Sequence, residues 1–100
     1  MGFAERVYRL ARKVPKGSVT TYKEIAKKLN TKAYRAVGTA LRNNKKPIII
    51  PCHRVVNSDG TAGGYGGVRD SRKKMILLKK EGIRIKNKRI ADFESVLFRF

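Results

Sequence analysis

One hundred residues are enough for one domain with a single modest core. Lysine and arginine number 25 against 7 acids, a formal charge of +18, so the chain's field attracts polyanions such as DNA, RNA or an anionic membrane. No apolar run approaches the roughly eighteen residues needed to span a bilayer, and one cysteine excludes an internal disulfide and a cysteine-rich zinc site.

Lysine- and isoleucine-rich chains also occur among heat-adapted proteins, but those balance lysine with glutamate. This one does not, which favours nucleic acid as the partner. The N-terminus has neither an apolar leader nor a small-residue cleavage site. Gly2 lacks the serine or threonine at position 6 that myristoylation requires. The expected location is the cytoplasm or the nucleus, and residues 1–100 are expected to form one domain.

Residues 3–14, "FAERVYRLARKV", set Phe3, Val7, Leu10, Ala11 and Val14 on one helical stripe, with arginine and lysine opposite. "PKG" at 15–17 breaks that helix. Thr21 and Glu24 then form a capping box for "TYKEIAKKLN", whose inner face is Ile25, Ala26 and Leu29. In "KAYRAVGTALRNN", 32–44, Ala33, Val37 and Leu41 with Ala36 and Ala40 make an inner face. Arg35, Thr39 and Arg42 lie on another. Two short helices about a tight turn predict a helix-turn-helix, the small residues of the second allowing close approach to a duplex.

"PIII", 47–50, reads as extended. "NSDGTAGGYGG", 57–67, is turn chemistry around Asp59-Gly60 and a lone Tyr65. A fourth helix is predicted over 70–82, with Asp70 or Ser71 as cap and Gly82 just past its end. "IRIKNKRI", 83–90, alternates like a short hairpin, and "ADFESVLFRF" reads equally as helix or strand.

The only cysteine and the only histidine, Cys52 and His53, are adjacent in "PIIIPCHRVVNSDG". A thiolate is the useful nucleophile, and free thiols ionise only near about pH 8.5. An imidazole can take the proton if a third group, usually a carboxylate, orients it. The acids available are Glu5, Glu24, Asp59, Asp70, Glu81, Asp92 and Glu94, and spacing does not choose among them. A free cysteine is most often inert packing, so adjacency alone leaves both roles open.

"PCHRVVNSDG" resembles the active-site signature of the O6-alkylguanine-DNA alkyltransferases, the methylated-DNA–protein-cysteine methyltransferases. "GSVTTYKEIA", "RAVGTALRNN", "GGYGG" and "LLKKEG" follow that family's order. The resemblance implies a mainly α, winged helix-turn-helix DNA-binding domain with short strands near 48–50, the glycine-rich loop and 83–90. It implies Cys52 as the alkyl acceptor, His53 as base through a water, Glu81 orienting His53, and Asn44 bracing the turn. Tyr22 would press on the target phosphate and protonate the departing guanine, and Arg35 would fill the gap left by an extruded base. Thr21, Ala36, Thr39 and Arg42 would complete the DNA face, and Pro47, Val55, Tyr65 and Gly66 the base pocket.

The implied reaction takes the alkyl group from O6-alkylguanine in double-stranded DNA, with O4-alkylthymine a further candidate substrate. It runs once per molecule, in a monomer, without cofactor or metal. Family members usually carry another domain before this one, whereas Met1 here opens on the first helix, so a catalytic domain alone is expected. Gly66 stands where some members place a serine that donates to the guanine oxygen, so that contact passes to a backbone N–H or is lost. Two other readings exist. Alkyltransferase-like proteins share the pattern but replace the nucleophile and flag damage without repairing it. A plain helix-turn-helix regulator would make "PCHR" a coincidence.

Overall fold

The computed structural model describes residues 2–46, 49–64 and 72–100. Helix α1, Phe3–Ala11, buries Val7, Leu10 and Ala11. It stops short of the predicted 14 because Lys13 N–H and Val14 N–H turn back to the carbonyls of Leu10 and Ala11, three residues earlier. Pro15 then disfavours further helical backbone in the residue before it. Val14 stays fully buried in that turn.

Strand β1, Thr20–Thr21, leads straight into helix α2, Tyr22–Lys28. Thr21 caps α2, its hydroxyl accepting from Glu24 N–H at 3.0 Å. Helix α3, Tyr34–Arg42, buries Val37, Ala40 and Leu41 against α1, and the hydroxyl of Tyr8 donates to the Ala40 carbonyl at 2.6 Å. α2 and α3 form the expected helix-turn-helix in a mainly helical domain. The α3 outer face leaves Arg35, Ala36, Thr39 and Arg42 exposed.

The extended segment expected at 48–50 is not a strand where it is described: Ile49 lies in a turn and Ile50 forms one bridge, while Pro47 and Ile48 lie outside the described residues. Instead a 3-10 turn, Cys52–Arg54, delivers the chain into β2, Val55–Val56. β2 pairs in parallel with β1, Thr20 opposite Val55 and Thr21 opposite Val56. All four of these residues are buried, which suits β-branched side chains on a covered surface.

Helix α4, Arg72–Lys80, ends in a Schellman motif. Ile83 N–H donates to Leu78 O and Gly82 N–H to Lys79 O, with Gly82 at φ +90°. The predicted caps Asp70 and Ser71 lie outside the described residues. The hairpin expected at 83–90 forms as β3, Ile85–Lys86, against β4, Arg89–Ile90, with Asn87 and Lys88 both at positive φ. The last segment is both helix and extended chain: α5, Phe93–Val96, then Leu97 bridged in parallel to Val19.

Two buried clusters result. One joins α1, α2 and α3 to Cys52 and Val55; the other gathers Val19, Val56, Leu78, Ile83 and Ile90. Burying one side chain such as Ile25 contributes about 1.5–3 kcal/mol. Cys52 therefore sits at the margin of the helical core, where α3, α4 and the β1–β2 pair converge.

Candidate active site

The turn that carries Cys52 is held from two sides. Cys52 N–H donates to the Ile50 carbonyl at 2.7 Å. The Asn44 side-chain amide donates to the same carbonyl at 2.9 Å and approaches Cys52 Sγ at 3.5 Å. Asn44 Oδ1 accepts from Lys46 N–H at 2.8 Å, which fixes the amide's orientation. Asn44 thus ties the end of α3 to the cysteine turn, and Cys52 is left 8% exposed.

His53 is buried, and its Nε2 lies 3.0 Å from Glu81 Oε2. A carboxylate only accepts, so Nε2 carries the hydrogen and Nδ1 is left with the basic lone pair. Burial lowers the His53 pKa below its ordinary value, and the hydrogen bond and charge of Glu81 only partly offset this. The ring is therefore neutral at pH 7. Burial works to raise Glu81, but hydrogen bonds from Arg54 and His53 prevail and hold its pKa below the ordinary carboxylate value.

Arg54 grips Glu81 with two donors, Nε to Oε1 at 2.9 Å and Nη2 to Oε2 at 2.7 Å. Its third contact, Nη1 to the Val14 carbonyl at 2.9 Å, fastens this pair to the turn after α1. Lys74 is completely buried on α4 and donates to the carbonyls of Val55 at 2.6 Å and Gly64 at 3.1 Å. Its ammonium sits 5.7 Å from the centre of the Tyr22 ring. Burial drives the Lys74 pKa down to about 7, against the upward pull of negative charge at Cys52. Tyr22 is pushed up to about 12 by burial and then by Cys52, so its phenol keeps its proton.

Cys52, His53, Glu81, Asn44 and Tyr22 come together at this convergence. Thr21 is buried beside them with its hydroxyl committed to the α2 cap. Val55 contributes a buried carbonyl that Lys74 already engages. Arg35, Ala36, Thr39 and Arg42 share a separate, solvent-facing surface. Pro47, Tyr65 and Gly66 lie outside the described residues. Arg54 and Lys74 escaped the sequence reading. Both left a signal: Arg54 directly follows His53, and Lys74 shares an i, i+4 stripe with Leu78, where an apolar residue belongs.

Among the described residues, no helix is long and apolar enough to cross a membrane. The site can present a sulfur nucleophile, a neutral imidazole base, a phenol donor and a buried cation within one turn of chain and its supports.

Residues 2–83 match the family model of the 6-O-methylguanine DNA methyltransferase DNA-binding domain. A bifunctional methyltransferase/endonuclease of Thermoplasma volcanium is 44% identical over 94 residues, 93% of this chain and 29% of its own length. The crystal structure of an O6-methylguanine-DNA methyltransferase from Pyrococcus kodakaraensis superposes with a TM-score of 0.73 at 44% identity, covering 83% of this chain and 47% of that one. The present chain thus spans less than half the length of either relative. The S. pombe protein Atl1, solved with damaged DNA containing O6-carboxymethylguanine, superposes with a TM-score of 0.86 at 26% identity. That match covers 98% of this chain and 95% of the S. pombe chain.

Proposed function

This chain belongs to the 6-O-methylguanine DNA methyltransferase family, and from that premise we propose that it repairs double-stranded DNA by taking the alkyl group from guanine O6 onto Cys52. Residues 1–100 act as one DNA-binding and catalytic unit, as a monomer, wherever the cell keeps its DNA. The observation that carries this reading is the Asn44-braced turn, which sets Cys52 next to a neutral His53 already oriented by Glu81.

The lesion is first rotated out of the stack, at a cost of a few kcal/mol. The exposed α3 face, with Ala36, Thr39 and Arg42, lies along the duplex, and Arg35 occupies the space vacated by the base. Tyr22, at the start of α2, presses on the target phosphate. By the family resemblance, Pro47, Tyr65 and Gly66, which lie outside the described residues, would join Val55 in receiving the base.

His53 then takes the Cys52 proton through a water. The thiolate attacks the alkyl carbon, a C–S bond forms as the C–O6 bond breaks, and the electron pair passes to guanine. The Tyr22 hydroxyl, protonated at neutral pH, supplies the proton that makes guanine a better leaving group, and its raised pKa makes it a weaker acid than a free phenol until negative charge develops on the guanine. Lys74 stabilises the anion formed at Cys52 during the transfer. The product is a thioether with no second nucleophile to remove it, so each molecule turns over once.

The test is a duplex oligonucleotide carrying O6-methylguanine, followed by mass measurement of the Cys52 peptide. A methyl-sized gain is expected, and Cys52→Ala should lose transfer while keeping DNA binding. Transfer that persists in Cys52→Ala sinks the assignment. The near full-length similarity to Atl1 supports a second reading, a lesion binder that flags damage. Tight lesion binding with an unmodified Cys52 would select it.

A further inference from the structure

The charge of +18 is not confined to the α3 face, and part of it is organised on α1. α1 buries Val7, Leu10 and Ala11 toward α3, and α3 buries Val37, Ala40 and Leu41 toward α1. Their solvent faces consequently point away from each other. On the far side of α1, Arg6 and Arg9 lie on successive turns, and Arg12 and Lys13 continue the row into the turn that ends the helix. All four are exposed, and among the described residues none has a carboxylate within ion-pair distance. Arg6 and Lys13 are about 10 Å apart along a helical axis. Within the row Arg6 and Arg9, and Arg9 and Lys13, stand three and four positions apart, where like charges disfavour the fold; Glu5 opposes only part of this, and a polyanion meeting the row relieves the rest.

The surface is also concave. A cleft of about 410 Å³ is lined by Arg9, Arg12 and Lys13 with Tyr8, Ile50 and Glu5. Guanidinium groups lining a cleft suit a sugar–phosphate backbone, since arginine pairs with phosphate through two parallel donors.

We propose that the α1 cleft is a second DNA-binding surface, which takes a separate duplex segment while the α3 face holds the first. This rests on the DNA-repair reading above and adds a function to it, direct transfer of the protein between DNA segments. The transient state is a bridge: the second segment docks on α1 before the first leaves α3. A protein that must find rare lesions would move across a folded chromosome without dissociating into solution.

The experiment loads the protein on a short fluorescent duplex and mixes the complex with rising concentrations of unlabelled duplex. The dissociation rate of the wild type should climb with competitor, because the competitor itself enters at α1. The doubly substituted Arg9→Gln/Lys13→Gln should release at one rate whatever the competitor concentration, while its transfer of methyl to Cys52 from an isolated oligonucleotide is unchanged. Arg6→Gln/Arg12→Gln is the independent second variant and should behave alike.

Equal competitor dependence in wild type and both variants would overturn the inference and leave the repair reading intact. So would a competitor-independent wild type. Loss of polyglutamate binding in the variants, with competitor dependence retained, would overturn it in favour of an acidic protein segment. A wild type that holds no labelled duplex at all would overturn the repair reading, and this inference with it. Arg35→Ala separates the two faces: it should weaken the first complex and keep the competitor dependence.

Discussion

Position 74 holds a lysine where its helix faces the core, while Ile76 two residues on is 54% exposed. The pattern of α4 is inverted there, and such local violations gather at functional sites. The cost is visible in protonation. An unfolded chain keeps the Lys74 proton up to an ordinary value near 10.5, whereas the folded chain releases it at about 7. Between those values the unfolded state binds more protons, so stability rises with pH, by up to about 1.4 kcal/mol per pH unit. Below 7 both states are charged and the folded chain bears the full burial penalty. Lys74→Met should therefore flatten the rise in unfolding free energy between pH 7 and 10, measured by urea titration. An unchanged slope would show that Lys74 is not the group responsible. At this scale the sequence was partly legible. Cys52 and His53 announce themselves by adjacency, but Glu81 needed the family resemblance, because the fold alone brings it across from the end of α4. Arg54 and Lys74 left only local hints, and their roles needed the fold for the same reason: one partner is a carboxylate and the others are backbone carbonyls brought together from other segments.

Asn44 acts on an element. It closes the segment between α3 and the cysteine turn by donating to the Ile50 carbonyl, which also accepts from Cys52 N–H. Asn44→Ala leaves that carbonyl one donor short, and the loss should be about 1–2 kcal/mol, read from urea unfolding. A looser turn should also expose Cys52 to a bulky disulfide reagent while slowing methyl transfer from DNA. Faster or unchanged transfer would contradict the bracing role. The helices were the legible elements, since 3.6-residue periodicity and the Thr21 cap are local signals. The Gly82 terminus was equally clear, for only a residue tolerant of positive φ closes that motif cheaply. The two-residue strands were not. Thr20–Thr21 and Val55–Val56 are too short to show alternation, and their pairing joins segments 35 residues apart, Thr20 to Val55.

Over the whole molecule the charge of +18 acts twice, with opposite signs. Self-repulsion opposes the folded state. Raising salt from about 0.1 M to about 1 M shortens the screening length from about 10 Å to about 3 Å. The melting temperature followed by circular dichroism should therefore climb with sodium chloride. DNA affinity should fall over the same range, with a log–log slope of about −0.9 for each phosphate neutralised. A melting temperature that drops with salt would indicate that the ion pairs at Glu81, Asp92 and Glu94 outweigh the repulsion.

The parallel bridge between Val19 and Leu97 also dictates an order of events. Val19 N–H donates to Val96 O and Phe98 N–H to Val19 O, while Thr20 Oγ1 reaches the Phe98 carbonyl across 78 positions of sequence. During synthesis, the side of β1 that meets this segment waits uncovered until the ribosome has released residue 98, long after the helix-turn-helix can close. A nascent chain of this protein would thus display an unpaired strand edge from the emergence of Val19 until that of Phe98, an interval in which such an edge invites pairing with other chains and in which a chaperone would act.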